Sequence, residues 1–305
     1  MLKIEKNNIL IIYNSVEYFE ELLQKRNYHT CTLYPNENII TRSLKKICKK
    51  INCNDSFLFN SQLRKLKNYT TLIVFAPVDD YVLQYFKQKN PRLKIIYWFW
   101  NPAYRIGRPT AIHYNNAELW TFDNEDADRY NMQYNNSFYF NEITCTKSFD
   151  CYDIVFVGRN KHRNNTLNLY KEKFEELGLK SLFHIVPNRN EKNPNNIREL
   201  SYQEYIDVVS SSKAILDIMP PSQVGLTLRP MESLFLEKKL ITDNIHIEKE
   251  PFYTPDNIFI LGKDNILSLH EFLNKPYQKV DSTIKDYYDF DQWVERMINK
   301  KEDYD

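Results

Sequence analysis

Short apolar runs alternate with stretches of helical periodicity along this chain, and the alternation is run through twice. Residues 8–13, 71–76, 94–100 and 119–122 are apolar runs, with helical patterns over 16–25, 81–89 and 124–130 between or after them. After Lys147 the cycle restarts at 153–158 and continues with runs at 182–186, 214–218, 240–242 and 258–260. Helical patterns cover 165–177, 202–210 and 230–236, and a polar loop covers 187–196. A run without polar alternation reads as a strand buried on both faces, and the intervening helices supply the cover. Two doubly wound α/β domains with mainly parallel sheets are the expected architecture. A length of 305 residues suits two domains, at about 150 residues each. The expected spans are 1–150, 151–283 and a terminal segment 284–305. In the last, Phe290, Trp293, Val294, Met297 and Ile298 fall on one helical face. There is no internal repeat and no low-complexity tract.

With 41 Lys and Arg against 40 Asp and Glu, the net charge is +1, so no global field draws the chain to nucleic acid or to an anionic membrane. An RNA-binding role through Lys161, His162 and Arg163 is disfavoured by that balance. The opening residues lack signal-peptide architecture and no apolar run is long enough to span a membrane, which points to the cytoplasm. The five cysteines (Cys31, Cys48, Cys53, Cys145, Cys151) contain no CxxC pair, so ordinary thiols are expected.

Two motifs carry the chemistry. The first is the run 155–163, an apolar strand ending in Gly158 and followed by Arg159, Lys161 and Arg163 before a helix. Ligands of open α/β sheets bind beyond the carboxyl ends of strands. A glycine there admits a diphosphate to the backbone, the helix start favours an anion, and any of the three cations can neutralise it. A solvated basic loop after a core strand would read the same way. The second is the run 220–233, containing Gly225, Thr227, Arg229, Pro230 and Glu232. Pro230 suits a first helical turn, which would aim Arg229 and nearby backbone N–H groups at an anion. Glu232 in that turn can accept hydrogen bonds from ribose hydroxyls, or simply complement the helix dipole.

Together these motifs resemble the donor half of GT-B glycosyltransferases. The pattern is strand-Gly-Arg-x-Lys-x-Arg, then some seventy residues later Gly-x-x-x-Arg-Pro-x-Glu-Ser-x-x-x-x-Lys-Leu-Ile-Thr. The chain resembles the CgeB-like and group-1-like proteins of bacterial surface-polysaccharide synthesis. Trp120, Phe122, Asp123, Asp126, Ala127 and Tyr130 also resemble a first-domain segment of those proteins. The resemblance implies two Rossmann-like domains facing across a cleft, with a terminal helix crossing back to the first domain. It implies a nucleoside-diphosphate sugar as co-substrate, with no other cofactor. Gly158, Arg159, Lys161, Arg163, Gly225, Thr227, Arg229 and Glu232 would bind the donor, Arg159, Lys161 and Arg229 meeting the diphosphate and Glu232 the ribose. Val224 stands where retaining relatives carry the first Glu of a Glu-x7-Glu pair, so inversion or retention does not carry over.

On the acceptor side, Asp79 and Asp80 follow one strand, and Trp98, Trp100, Asn101 and Tyr104 cluster around the end of the next. An inverting transfer needs a base for the acceptor hydroxyl, and Asp79 or Asp80 is suitably placed. The aromatic residues can stack on sugar faces. A helix cap for an Asp and core packing for the tryptophans are the competing roles. Asp123 and Asp126 lack the DxD spacing of a metal motif and read as cap chemistry, and no histidine pair has metal-ligand spacing, so no metal is expected.

The sequence therefore points to transfer of a sugar, a hexose by the resemblance, to a hydroxyl of a glycan or lipid-linked acceptor in surface-polysaccharide synthesis. A peripheral contact with the inner face of the membrane is compatible with such an acceptor. The rival reading is a non-catalytic nucleotide-sugar-binding or scaffold subunit of an assembly complex.

Overall fold

A computed structural model of the chain describes residues 4–13, 17–35, 39–51, 53–75, 77–145, 151–188, 191–193 and 195–299. Two compact units, Met1–Asn135 and Asn136–Asp305, divide it. The junction expected near residue 150 borders 146–150, which lie outside the described residues. So do Val16 and Ala76, at the edges of expected elements.

The first unit runs β1 (Ile9–Tyr13), α1 (Glu20–Lys25), β2 (His29–Thr32), α2 (Ile39–Lys50), β3 (Thr71–Phe75), α3 (Asp80–Lys89), β4 (Lys94–Phe99), α4 (Ala103–Ile106), α5 (Ala111–Asn116), β5 (Glu118–Thr121), α6 (Asn124–Tyr130) and β6 (Gln133–Tyr134). Its strands form one parallel sheet in the order β2-β1-β3-β4-β5-β6. Every residue of β1 and of β3 is buried, as two-sided cover requires. Val82, Leu83 and Phe86 of α3 recur at helical spacing and join Leu72, Val74, Ile95 and Tyr97 in one core.

The second unit runs β7 (Tyr152–Arg159), α7 (Asn164–Glu176), β8 (Ser181–Val186), α8 (Tyr202–Ser210), β9 (Ser212–Asp217), α9 (Arg229–Leu236), β10 (Lys239–Thr242), β11 (Ile258–Ile260), α10 (Leu269–Asn274), α11 (Ser282–Tyr287) and α12 (Phe290–Ile298). Its parallel sheet has the order β11-β10-β9-β7-β8. Alternate residues of β7 serve opposite layers. Ile154 and Phe156 pack with Leu167 and Phe174 of α7, whereas Val155 packs with Ile206 and Val209 of α8. Both units are thus doubly wound α/β structures, as the alternating pattern implied.

In both sheets the strand order reverses beside the first strand, between β1 and β3 and between β7 and β9. Crevices beyond the carboxyl ends of strands open at such reversals. They fall at residues 77–80 in the first unit and at Gly158, Arg159 and Ile218 in the second.

α12 buries Phe290, Trp293, Val294 and Met297, with Ile298 half-buried. The Phe290 ring stacks on Phe140 with centroids 5.3 Å apart, and Phe138 meets Trp293 at 4.5 Å. Backbone bonds reinforce this seam, from Tyr139 N to Tyr288 O at 2.9 Å and from Phe290 N to Tyr139 O at 3.0 Å. Phe138–Phe140 fall within the expected span 1–150, but in the structure they belong to the second unit. Among the described residues no helix is long and apolar enough to cross a membrane.

Candidate functional site

At the reversal point of the second sheet, Arg163 ties the two strand ends together. It is 4% exposed, and its guanidinium donates to Ile218 O beyond β9 and to Arg159 O, at 3.2 Å, in β7. Arg229 comes from the opposite loop and donates to Val157 O at 2.5 Å, with Nη1 3.6 Å from the buried Asp217 carboxylate. Both guanidinium groups lie over the Phe156 ring, at 5.0 and 4.8 Å from its centroid. Such contacts compensate part of the cost of burying cations. Gly158 is what lets Arg229 approach. A Cβ there would stand 2.6 Å from Arg229 Nη2.

Asp217 is fully buried and anchors the second loop. It accepts from Thr227 Oγ1 at 2.9 Å and from Thr242 Oγ1 at 3.4 Å, and Thr227 Oγ1 accepts from Arg229 N at 3.2 Å. Gly225 is buried in the same loop, and its carbonyl accepts from Gln223 Nε2 at 3.1 Å. Pro230 sits in the first turn of α9, as expected. Arg159 is more open. Its Nε lies 2.5 Å from Glu199, and Nη1 donates to Pro187 O at 3.2 Å. Lys161 and His162 both take left-handed backbone conformations, with φ of 48° and 63°, each costing about 1–2 kcal/mol in a residue other than glycine. The Asn188 side chain holds that turn by accepting from Lys161 N at 3.0 Å, and the Asn160 side chain by accepting from Arg163 N at 3.1 Å.

Glu232 is 3% exposed. Tyr205 donates to its Oε2 and Tyr202 to its Oε1 at 3.5 Å, and the Tyr202 hydroxyl meets that of Tyr139. Burial raises its pKa to about 7, against the opposing pull of the Tyr205 hydrogen bond and of Arg229. Asp243, also raised by burial, to about 6, accepts from Met219 N at 2.8 Å. Asp217, Asp243, Tyr202 and Tyr205 belong to no motif recognised in the sequence. Asp217 within the predicted strand 214–218 and Asp243 directly after the predicted strand 240–242 stand near carboxyl strand ends, the one signal that could have found them.

At the corresponding point of the first sheet, Asp79 is exposed at the N-cap of α3 and makes no cap hydrogen bond. Asp80 is held. It accepts from Thr110 Oγ1 at 2.9 Å and lies 2.7 Å from His113 Nε2. Thr110 N donates to His113 Nδ1 at 2.9 Å, so a neutral His113 carries its proton on the nitrogen facing Asp80. Burial lowers the His113 pKa in spite of Asp80. Asp79 also borders a cavity of about 860 Å³ beside α2, whose lining includes Tyr34, Lys45, Lys46, Asp55 and Tyr81. Both tyrosines donate to the buried Asp55, at 2.9 and 2.6 Å.

Of the aromatic group, Trp98 is 2% exposed inside β4, a packing position. Trp100 is half-buried against Phe75 and Phe19, Asn101 is half-buried, and Tyr104 is exposed. Asp126 positions this loop by accepting from Ala103 N at 2.6 Å, while Asp123 caps α6 through Glu125 N and Asp126 N. Both acids thus do cap and loop chemistry, as their spacing implied. Among the described residues no group of three or more His, Cys, Asp or Glu is arranged to hold a metal.

The reversal points and their side chains define a protein of two doubly wound α/β units with a cationic crevice in the second. No family model matches the chain, and no curated protein sequence matches it. Among solved structures it is similar to Anabaena HepE, crystallised in complex with UDP and glucose. The match has 9% identity and a TM-score of 0.46, covering 88% of this chain and 89% of that one. It is also similar to a chain of the GtfA/B complex, at 9% identity and a TM-score of 0.43, covering 75% of this chain and 56% of that one.

Proposed function

We propose that the chain is a glycosyltransferase moving a sugar, a hexose in our reading, from a nucleoside-diphosphate donor to a hydroxyl of a glycan or lipid-linked acceptor in surface-polysaccharide assembly. The observation that carries this is the meeting of Gly158, at the end of β7, with Arg229 from the loop after β9, where Arg163 also joins the two strand ends. A diphosphate leaving group accumulates negative charge as the glycosidic bond to it breaks, and fixed cations there lower the barrier without reorganising. Arg159 and Lys161 are the direct phosphate contacts. Arg229 presents the rest of its guanidinium from the other loop, and Arg163 and Gly225 act by shaping the two loops. A ribose contact by Glu232 requires Tyr205 or Tyr202 to release the carboxylate.

For the acceptor, Asp79 is the base in an inverting transfer, since it is exposed whereas Asp80 is engaged by His113 and Thr110. Trp100, Asn101 and Tyr104 are the surface on which a sugar ring would rest. The test is a thermal-shift screen against UDP-, GDP-, CMP- and dTDP-sugars, followed by donor turnover with the stabilising nucleotide. Stabilisation with turnover supports the proposal. Stabilisation without any hydrolysis or transfer assigns the non-catalytic binding role, and no stabilisation by any of them removes the donor site.

A further inference from the structure

Five of the thirteen exposed large hydrophobic residues among the described residues fall within residues 39–57. Ile39, Ile40, Ile47 and Ile51 are 83, 68, 53 and 64% exposed, on and just after α2, and Phe57 in the following turn is 58% exposed. Ile40, Ile47 and Ile51 are spaced i, i+7 and i+11, which returns them to within about 40° of one another around the helix axis. They line one side of the helix, with the half-buried Leu44 between Ile40 and Ile47. Cys48 faces inward and is buried, so α2 is attached to the first unit by one side and shows its isoleucines on another. Burying such a stripe is favourable, and apolar patches left open on a folded surface mark interaction sites.

The charge on the same helix selects the partner. Ile39–Lys50 contains Arg42, Lys45, Lys46 and Lys50 and no acidic residue, in a chain whose charges otherwise balance to +1. An apolar stripe flanked by cations, on a helix about 18 Å long, has the make-up of a segment lying in a bilayer interface. We propose that α2, with Phe57 beside it, seats the first unit on an anionic lipid surface. Ile40, Ile47 and Ile51 enter the acyl boundary, and the exposed Lys46 and Lys50 meet phosphate headgroups. Contact is peripheral, because the helix is too short to span a bilayer. The surface stands on these residues alone and does not depend on the glycosyl-transfer reading.

The experiment is flotation of the full chain with vesicles of phosphatidylcholine alone, or with roughly one third phosphatidylglycerol, at low and high salt. Retention on the anionic vesicles should exceed that on neutral ones by about tenfold and fall as salt rises. Ile40→Asn/Ile47→Asn/Ile51→Asn and, separately, Lys46→Glu/Lys50→Glu should each abolish it, with melting curves confirming that both variants fold. The charge variant decides alone if the isoleucine variant does not fold. The proposal is overturned by no retention on anionic vesicles, or by retention unchanged in the folded variants. It is equally overturned by a wild-type dimer, lost in the isoleucine variant, without vesicle binding, which would assign the stripe to a second copy of the chain.

Discussion

Replacing Glu232 with Gln should change how the stability of the second unit depends on pH. The carboxyl titrates at about 7 in the folded chain, against 4.5 for the free group. Between those values the folded state binds a proton that the unfolded state has released, so stability falls as pH rises. At about 1.4 kcal/mol per pKa unit the interval corresponds to about 3–4 kcal/mol, present below pH 4.5 and lost as pH rises through 7. The amide in the Glu232→Gln variant would be neutral throughout and keep an oxygen for Tyr205. Urea unfolding monitored from pH 5 to 8 should give a wild-type curve falling more steeply than that of the variant, with the variant gaining relative stability at pH 8. Asp243 titrates in the same region in both proteins, so the difference between the curves isolates Glu232. Parallel curves would refute the reasoning, since they would mean that Glu232 titrates alike in the folded and unfolded chain.

Arg159→Ala should weaken nucleoside-diphosphate binding by about 1.5–3 kcal/mol in calorimetry while leaving the melting temperature near wild type, its Glu199 partner being exposed. Arg229→Ala should weaken binding and also destabilise by about 3 kcal/mol in urea unfolding, because Asp217 loses its cation while buried. Gly158→Ala should lower both affinity and stability, as the new methyl forces the Arg229 guanidinium away from Val157 O and Asp217; a variant with wild-type affinity would show that this group does not matter for binding. Asp79→Asn should lower kcat with donor affinity preserved, and Asp80→Asn should have the smaller effect; the reverse order in steady-state kinetics would move the base to Asp80. Turnover should survive EDTA, and a loss restored by Mg²⁺ or Mn²⁺ would show that the guanidinium and ammonium groups do not suffice.

Strands covered on both faces were legible because nothing polar interrupts them. β2 was not, since His29, Thr30 and Thr32 give an edge strand no apolar signature. α2 escaped for the opposite reason, because a helix whose isoleucines face outward matches no core-facing pattern. The site was legible as residue types and not as roles. Arg163 and Arg229 both looked like anion ligands, but only the fold shows Arg163 bridging two strand ends and Arg229 paired with Asp217. Asp55 was invisible because its two tyrosine partners lie 21 and 26 residues away, and no local pattern links them.

The seam between Phe138–Phe140 and α12 bears on how the chain is made. Phe138 and Phe140, at the start of the second unit, pack on Trp293 and Phe290 near its end, 150 residues later for Phe140 and Phe290. During synthesis the first unit can close while the ribosome is still working, because its sheet is complete by Tyr134. The second unit cannot, since Phe138 and Phe140 lack the rings of Phe290 and Trp293 until residues 290–298 emerge. Such long-range closure is slow, so a nascent chain stalled before residue 290 would present a finished first unit followed by an adhesive, half-built second one.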